Sequence, residues 1–123
     1  MKASIKDTKA YKTKDLSEIR EILHPDNNHN VKNQSLAQAT ISANQKTAEH
    51  FHKKTEEIYF ILSGNGVMYL DDQSFRVTEG DSILISAGQR HCIENTESTD
   101  LKILCCCSPA YQHEDTYLID LVN

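Results

Sequence analysis

Hydrophobic and polar residues alternate in short runs along most of the chain after residue 34, and turn-forming residues separate the runs. The runs are SLAQATIS, EIYFILS, VMYLDDQSFRV, SILIS, HCIEN and LKILCCCS, and Pro109 closes the last of them. A period of two is typical of strands, whose successive side chains point to opposite faces. The segment DDQ inside the third run predicts a hairpin turn. Turn signals repeated about every 8–12 residues predict an all-β sandwich or barrel.

A different period marks the N-terminal segment KDLSEIREILHP, which contains the one predicted helix. Its apolar residues fall on one face of a helix with 3.6 residues per turn, and they are Leu16, Ile19, Ile22 and Leu23. Asp15 or Ser17 offers the N-terminal cap. Pro25 ends the helix, because a residue that precedes proline is disfavoured in helical conformation.

The domain organisation follows from the polar, Asn-rich stretch 26–34, which predicts a loop after the helix. We expect residues 1–34 to form this helix and loop, packed on the outside of a β domain formed by residues 35–123. A chain of 123 residues has the usual size for one such domain.

The composition excludes several classes of function. The 13 lysine and arginine residues against 18 aspartate and glutamate residues leave no basic surface for nucleic acid. No apolar run approaches the ~18 residues that a membrane span needs, and the N-terminus lacks the apolar stretch of a secretion signal. We therefore expect a cytoplasmic protein whose partner is a small-molecule substrate, with no nucleic-acid or membrane partner.

The four cysteines are interpreted as reduced side chains of the core. Cys105, Cys106 and Cys107 are consecutive, and neighbours on a strand point to opposite faces, so the three cannot all pair with one another. Cys92 stands apart, and no C-x-x-C spacing indicates a zinc ribbon. Cys105 and Cys107 share a strand face and line the interior if that face points inward.

The stretch EHFHKKTEEIYF brings together residue types that bind metals. His50 and His52 are two residues apart on a predicted strand, so their side chains project from one face roughly 6.5 Å apart. Imidazole nitrogens at this spacing can meet at one ion, which they bind at about 2.0–2.1 Å. Glu56 or Glu57 supplies a carboxylate a few residues later. This ligand set suits one divalent transition metal, Fe, Zn, Mn, Ni or Cu, and does not choose among them.

Two segments of the sequence resemble the two signature motifs of the cupin superfamily. The first motif is matched by Asn44 in place of its opening glycine, His50, His52, Glu57 and Gly64, and the second by Gly80, Gly88, His91 and Asn95 with Ser86 in place of its proline. Asparagine tolerates the left-handed backbone that the opening glycine adopts, and serine loses only some rigidity of the turn. Neither departure touches a position that binds metal in the motif.

The resemblance implies a double-stranded β-helix, the jelly-roll barrel of the cupins. It implies a metal ion held by His50, His52, Glu57 and His91, with one or two positions open to water or substrate. The motif spacing favours Glu57 over Glu56 as the carboxylate ligand.

With Glu57 as the ligand, the two faces of the predicted strand EIYFILS are assigned. Tyr59 lies on the cavity side with Glu57. Tyr59 and Tyr69 are each interpreted as barrel lining or as an acid or base, and Tyr59 is the candidate catalytic residue. Ile58 and Phe60 then point outward, and cupins commonly pair through such apolar faces, so the resemblance implies a homodimer.

The fold does not specify the reaction, because cupins host many activities. We expect a metal-dependent enzyme that acts on a small oxygenated metabolite. Iron or copper indicates dioxygenase-type chemistry, whereas zinc, manganese or nickel indicates Lewis-acid isomerase or lyase chemistry. The alternative is a non-catalytic cupin that binds or senses a small molecule.

Overall fold

The computed structural model describes residues 1–27 and 30–119 of the chain, so part of the predicted loop 26–34 lies outside the described residues. The strands of this part are β1 (Tyr11–Lys12), β2 (Glu18–Leu23), β3 (Ser35–Ile41), β4 (His50–His52), β5 (Glu56–Ser63), β6 (Asn65–Leu70), β7 (Gln73–Thr78), β8 (Ser82–Ile85), β9 (His91–Asn95), β10 (Leu101–Ser108) and β11 (Thr116–Leu118). Short 3₁₀ turns span Ile5–Asp7, Pro25–Asn27 and His113–Asp115. Each run that the alternation marked is a strand or a hairpin.

The strands form two antiparallel sheets that pack face to face. One sheet has the order β1-β2-β3-β10-β5-β8, and the other has the order β11-β4-β9-β6-β7. Their inner faces supply the largest fully buried apolar side chains, namely Ile61, Ile85, Leu101 and Ile103 from the first sheet and Met68 and Ile93 from the second. Two sheets that interdigitate alternate residues in this way form the core of a jelly roll. The predicted fold class is confirmed.

The faces of β5 follow the predicted register. Glu57, Tyr59 and Ile61 are buried, whereas Ile58 and Phe60 are exposed on the outer face. The same alternation along β10 turns its odd-numbered cysteines inward. The interior is therefore lined by the residues that the period of two selected.

Two turns confirm the predicted backbone. Asp71 and Asp72 connect β6 to β7, with Leu70 paired to Gln73 and Asp71 in the left-handed region at φ 52°. Asn44 is also left-handed, at φ 60°, as expected where the motif has a glycine. Asparagine and aspartate adopt this conformation more readily than other side chains, since they bond the local backbone.

The predicted helix over KDLSEIREILHP is wrong. Residues Glu18–Leu23 form β2 and pair antiparallel with β3, with Ile19 opposite Ala39. Leu16, which the helical pattern placed on the apolar face, is 63% exposed and left-handed at φ 77°. The ladder with β3 supplies hydrogen bonds to the backbone of β2, and Ile19 is buried in the core from this strand, so tertiary pairing outweighs the local preference.

The residues before β3 thus extend the six-stranded sheet at one edge. They also cross the end of the barrel, because Ala48 donates a backbone hydrogen bond to the carbonyl of Asp15 at 2.8 Å. Across the described residues, no helix has the length and apolar character that a membrane crossing requires.

Candidate metal centre

Three buried histidines meet inside the barrel near its end. His50 and His52 are on β4, and His91 opens the neighbouring strand β9 directly opposite His50 in the ladder. The potential ligand nitrogens of the three side chains all lie within 4.8 Å of one another. Alternation places His50 and His52 on one face, and strand pairing adds His91 to that face.

The orientation of two of these rings is set by the local backbone. The Nδ1 atom of His50 lies 2.9 Å from the carbonyl of Ala48, and the Nδ1 atom of His91 lies 3.0 Å from the carbonyl of Gln89. A carbonyl only accepts, so each Nδ1 carries the proton and donates. In the neutral ring, the Nε2 atom then presents its lone pair to the centre, which is the form that binds a metal.

The third ring is held by the C-terminal strand. The Nδ1 atom of His52 lies 3.2 Å from the hydroxyl of Thr116 on β11, and that hydroxyl donates to the carbonyl of Gln112 at 3.1 Å. Because the hydroxyl proton is used there, the Thr116 oxygen accepts from His52. The Nε2 atom of His52 is thereby left for the centre as well.

Of the two candidate glutamates, Glu57 is the one that the structure brings to the histidines. Its Oε1 atom lies 3.4 Å from Nε2 of His52 and 3.6 Å from Nε2 of His91, and the side chain is buried. Glu56 is exposed on the opposite face of β5. The other carboxylate oxygen of Glu57 accepts a hydrogen bond from the thiol of Cys107 at 3.3 Å.

Two atoms of this cluster are buried without a hydrogen-bond partner among the described residues, and they are Oε1 of Glu57 and Nε2 of His91. A buried polar atom normally has a partner, because leaving it unpaired costs about 1–3 kcal/mol. Ligands bound at about 2.1 Å to one ion lie about 3.0 Å apart in octahedral and about 3.4 Å apart in tetrahedral coordination, close to the distances seen here. The residues present therefore fit a divalent metal ion.

The charges of the cluster are set by burial and by the contacts among its members. Burial, followed by the neighbouring His91, lowers the pKa of His50 to about 4, so this ring is neutral at ordinary pH. Burial alone would raise the pKa of Glu57, but His52 and His91 outweigh it and hold the pKa of this carboxyl well below its usual range. Burial opposes the charged form of His52, yet contact with Glu57 raises the pKa of His52 overall.

A small cavity adjoins the histidines. The volume that the centre of a water molecule can occupy there is about 40 Å³, which is room for a few water molecules. Apolar side chains from both sheets form much of its wall, including Ile41, Ile93 and Ile103. Cys105 and Cys107 also line it, and burial raises the pKa of both thiols, so they remain protonated.

Two of the tyrosines that line the cavity have their rings close to the histidines. The Tyr59 ring centroid lies 6.1 Å from that of His91, and the Tyr111 ring centroid lies 5.9 Å from that of His52. Burial and the charge of Glu57 raise the pKa of Tyr59 well above its ordinary value, and burial raises the pKa of Tyr111 to about 12. Both phenols are therefore protonated and can donate. Tyr111 was not singled out from the sequence.

Tyr69, interpreted from the sequence as barrel lining, lies elsewhere. Its hydroxyl donates to Glu94 at 2.9 Å, and the ammonium group of Lys46 lies 4.2 Å from its ring centroid. It is not among the residues that line the cavity beside the histidines. The interpretation as lining is wrong, because Tyr69 alternates with the inward-facing Met68 on β6.

Asp15 is a further site residue that the sequence interpretation missed. It is buried, and its Oδ2 atom lies 3.6 Å from Nε2 of His50. Thr13, Asp15, Ser17 and Ile19 all line the cavity, which is a period of two. That alternation was visible in the sequence, but the helical interpretation of the same segment assigned Asp15 and Ser17 to a cap.

The comparisons with known proteins agree with this geometry. Residues 37–107 match the family described as the cupin domain, and both motif segments lie inside that range. The chain belongs to the cupins. This cupin is 50% identical over 112 residues to an uncharacterized protein of Methanocaldococcus jannaschii, with 91% of this chain and 89% of the relative covered.

A curated sequence and a solved structure, both from Thermotoga maritima, are also similar to this cupin. An oxalate-binding protein is 32% identical over 87 residues, which cover 71% of each chain. The crystal structure of a predicted oxalate decarboxylase matches with a TM-score of 0.77 and 25% identity over 89% of this chain and 99% of that one.

Proposed function

We propose that this cupin is a metal-dependent enzyme that acts on a small oxygenated metabolite, with one divalent transition metal held by His50, His52, Glu57 and His91. The proposal rests on the convergence of three oriented histidine nitrogens and a buried carboxylate. Two atoms of this cluster, Oε1 of Glu57 and Nε2 of His91, have no hydrogen-bond partner among the described residues. An ion bound there supplies a Lewis acid or, in the case of iron or copper, a redox centre.

The surrounding residues support chemistry on a compact ligand. Ile93 and Ile103 keep the wall apolar, and the cavity leaves space for only a few non-hydrogen atoms beside the histidines. Tyr59 lies beside His91 on the cavity wall, so we assign it the transfer of a proton to an oxygen of the bound substrate. The oxalate-binding relative supports a small carboxylate or a related oxygen ligand as the substrate class.

A second candidate function is binding without turnover. The oxalate-binding protein of Thermotoga maritima is named for what it binds, which favours a small-molecule binding or sensor role. In that case the same four side chains hold the ion, and the phenol of Tyr59 donates a hydrogen bond to the ligand without transferring its proton.

The first test is metal content, measured by mass spectrometry on protein purified without a tag or chelator. We expect about one equivalent of a transition metal per chain, and its identity selects the chemistry: iron or copper for oxygenation, zinc, manganese or nickel for Lewis-acid steps. Protein that neither contains nor takes up a metal would overturn both candidate functions.

Turnover separates the two candidates. Metal-loaded protein is incubated with oxalate and with small hydroxy and keto acids, and the products are followed by NMR. For the enzyme, we expect conversion of at least one compound and a decrease of about 10²–10⁴-fold in Tyr59→Phe, with metal content unchanged, because the lost group transfers a proton. A ligand that binds and stays intact would support the binding role instead.

We further propose that this cupin forms a homodimer through the outer face of β5 and β8. Ile58 and Leu84 pair across these strands, and with Phe60 they are 44%, 55% and 39% exposed. Because β8 is the edge strand of its sheet, it also offers backbone groups to a second copy.

Charged substitutions on this face test the dimer. We expect the double variant Phe60→Asp/Leu84→Asp to be monomeric by light scattering at micromolar concentration. An aspartate buried in an apolar contact loses its hydration and gains no partner in return, which opposes association. Phe75→Asp, an equally exposed position in the other sheet, is the control and should stay dimeric. A monomeric wild type would contradict the proposal.

A further inference from the structure

The segment that precedes both cupin motifs forms one side of the cavity. Its odd-numbered residues line the space beside the histidines, and they are Tyr11, Thr13, Asp15, Ser17, Ile19 and Glu21. The matched domain begins only at residue 37. The site is therefore built partly from a segment that neither motif describes.

Asp15 is held in place by one of its two carboxylate oxygens. Its Oδ1 atom accepts hydrogen bonds from the backbone N–H of Ser17 at 3.1 Å, from the Ser17 hydroxyl at 2.7 Å and from the hydroxyl of Thr13. The left-handed backbone of Leu16 makes the turn that allows this arrangement, and Ala48 bonds the Asp15 carbonyl. The residue is only 8% exposed.

The other oxygen is directed at the histidine cluster. Oδ2 of Asp15 lies 3.6 Å from Nε2 of His50, the same distance that separates Glu57 from His91. Since Nδ1 of His50 donates to Ala48, its neutral ring presents a lone pair toward this oxygen. The lone pairs of Nε2 and Oδ2 repel each other there. A cation bound between the two atoms would be coordinated by both.

We propose that Asp15 is a second carboxylate ligand of the metal centre, which gives three histidines and two carboxylates. The inference rests on the proposed function, since it requires the metal. It changes the charge of the site: a divalent ion with Glu57 alone leaves a net +1, and Asp15 brings the total to zero. An anionic substrate is then held mainly by direct coordination and by the phenol of Tyr59, and less by long-range attraction.

A structure of the wild-type protein loaded with manganese or cobalt tests the ligand set directly. We expect Oδ2 of Asp15 at about 2.0–2.2 Å from the ion, the usual length of a carboxylate bond to such metals. An ion bound by the three histidines and Glu57 with Asp15 more than about 4 Å away, beyond any such bond length, would overturn the inference and leave the proposed function intact. A wild type that takes up neither metal would overturn the proposed function.

Metal affinity provides a test that needs no crystal. Cobalt(II) is titrated into metal-free protein in competition with a chelating indicator, and the visible spectrum reports its ligands. We expect Asp15→Asn to bind about 10–100-fold more weakly and to shift the spectrum. The amide keeps one oxygen for Thr13 and Ser17, so the fold should persist, as thermal unfolding of the metal-free form will show.

Glu56→Gln is the matched control, because it removes the same charge from the exposed face of β5. Its cobalt affinity and spectrum should equal those of the wild type. An Asp15→Asn variant that behaves like Glu56→Gln in both readouts would overturn the role of Asp15.

Discussion

Replacement of His91 by alanine is expected to lower metal affinity by about a thousandfold, roughly 4 kcal/mol, with little change in the stability of the metal-free protein. His91 is fully buried, yet its Nε2 atom has no hydrogen-bond partner among the described residues. Its removal takes away a ligand and, at the same time, an unsatisfied polar atom that destabilises the metal-free fold. The lost ligand weakens the metal-bound protein, whereas the removal of the unsatisfied atom favours the metal-free protein.

A buried histidine outside the cluster provides the matched control. Nε2 of His24 donates to the carbonyl of Tyr111 at 2.6 Å, and its Nδ1 atom accepts from the backbone of Asp26 at 3.0 Å. Both nitrogens are used, so His24→Ala should cost about 2 kcal/mol of stability and leave metal stoichiometry unchanged. Metal titration and urea unfolding of both variants check the contrast. Retention of metal by His91→Ala would contradict the proposed centre.

Replacement of Asp115 by asparagine is expected to destabilise the protein by about 3 kcal/mol. The carboxylate is buried and accepts backbone hydrogen bonds from three consecutive residues, Lys53, Lys54 and Thr55, at 3.1–3.2 Å. An asparagine turns one acceptor oxygen into an N–H donor that faces another donor. This turn connects β4 to β5, so its loosening also moves His52 relative to Glu57.

Urea unfolding of the metal-free and metal-loaded forms measures both consequences. We expect metal affinity to fall about tenfold in Asp115→Asn, in line with the loss of a group that orients ligands without binding the ion. Glu114→Gln changes the same charge at the neighbouring exposed position and should alter neither quantity. A loss of less than about 1 kcal/mol in Asp115→Asn, below the cost of one unpaired buried donor, would contradict this role for the carboxylate.

Asp115 also shows what sequence reasoning leaves out. The C-terminal segment that contains it is polar, with exposed His113 and Glu114, and it carries no motif. Its function in the fold arises from contacts with residues about 60 positions earlier in the chain. Thr116, which orients His52, also acts through a contact with a residue far earlier in the chain. Neither the spacing nor the composition of the sequence contains such pairings.

The sequence by itself determined the strands from Ser35 to Ser108, the inward face of β5 and three histidines with a glutamate as candidate ligands. These features are local, since alternation and motif spacing report which side of a strand a residue occupies. The tertiary structure decided the secondary structure of the segment around Ile19. Its apolar pattern suits a helix, but it also suits a strand when β3 supplies the hydrogen bonds. The tertiary structure thereby placed Asp15 beside His50, a contact between segments more than thirty residues apart that only the folding of the chain can make.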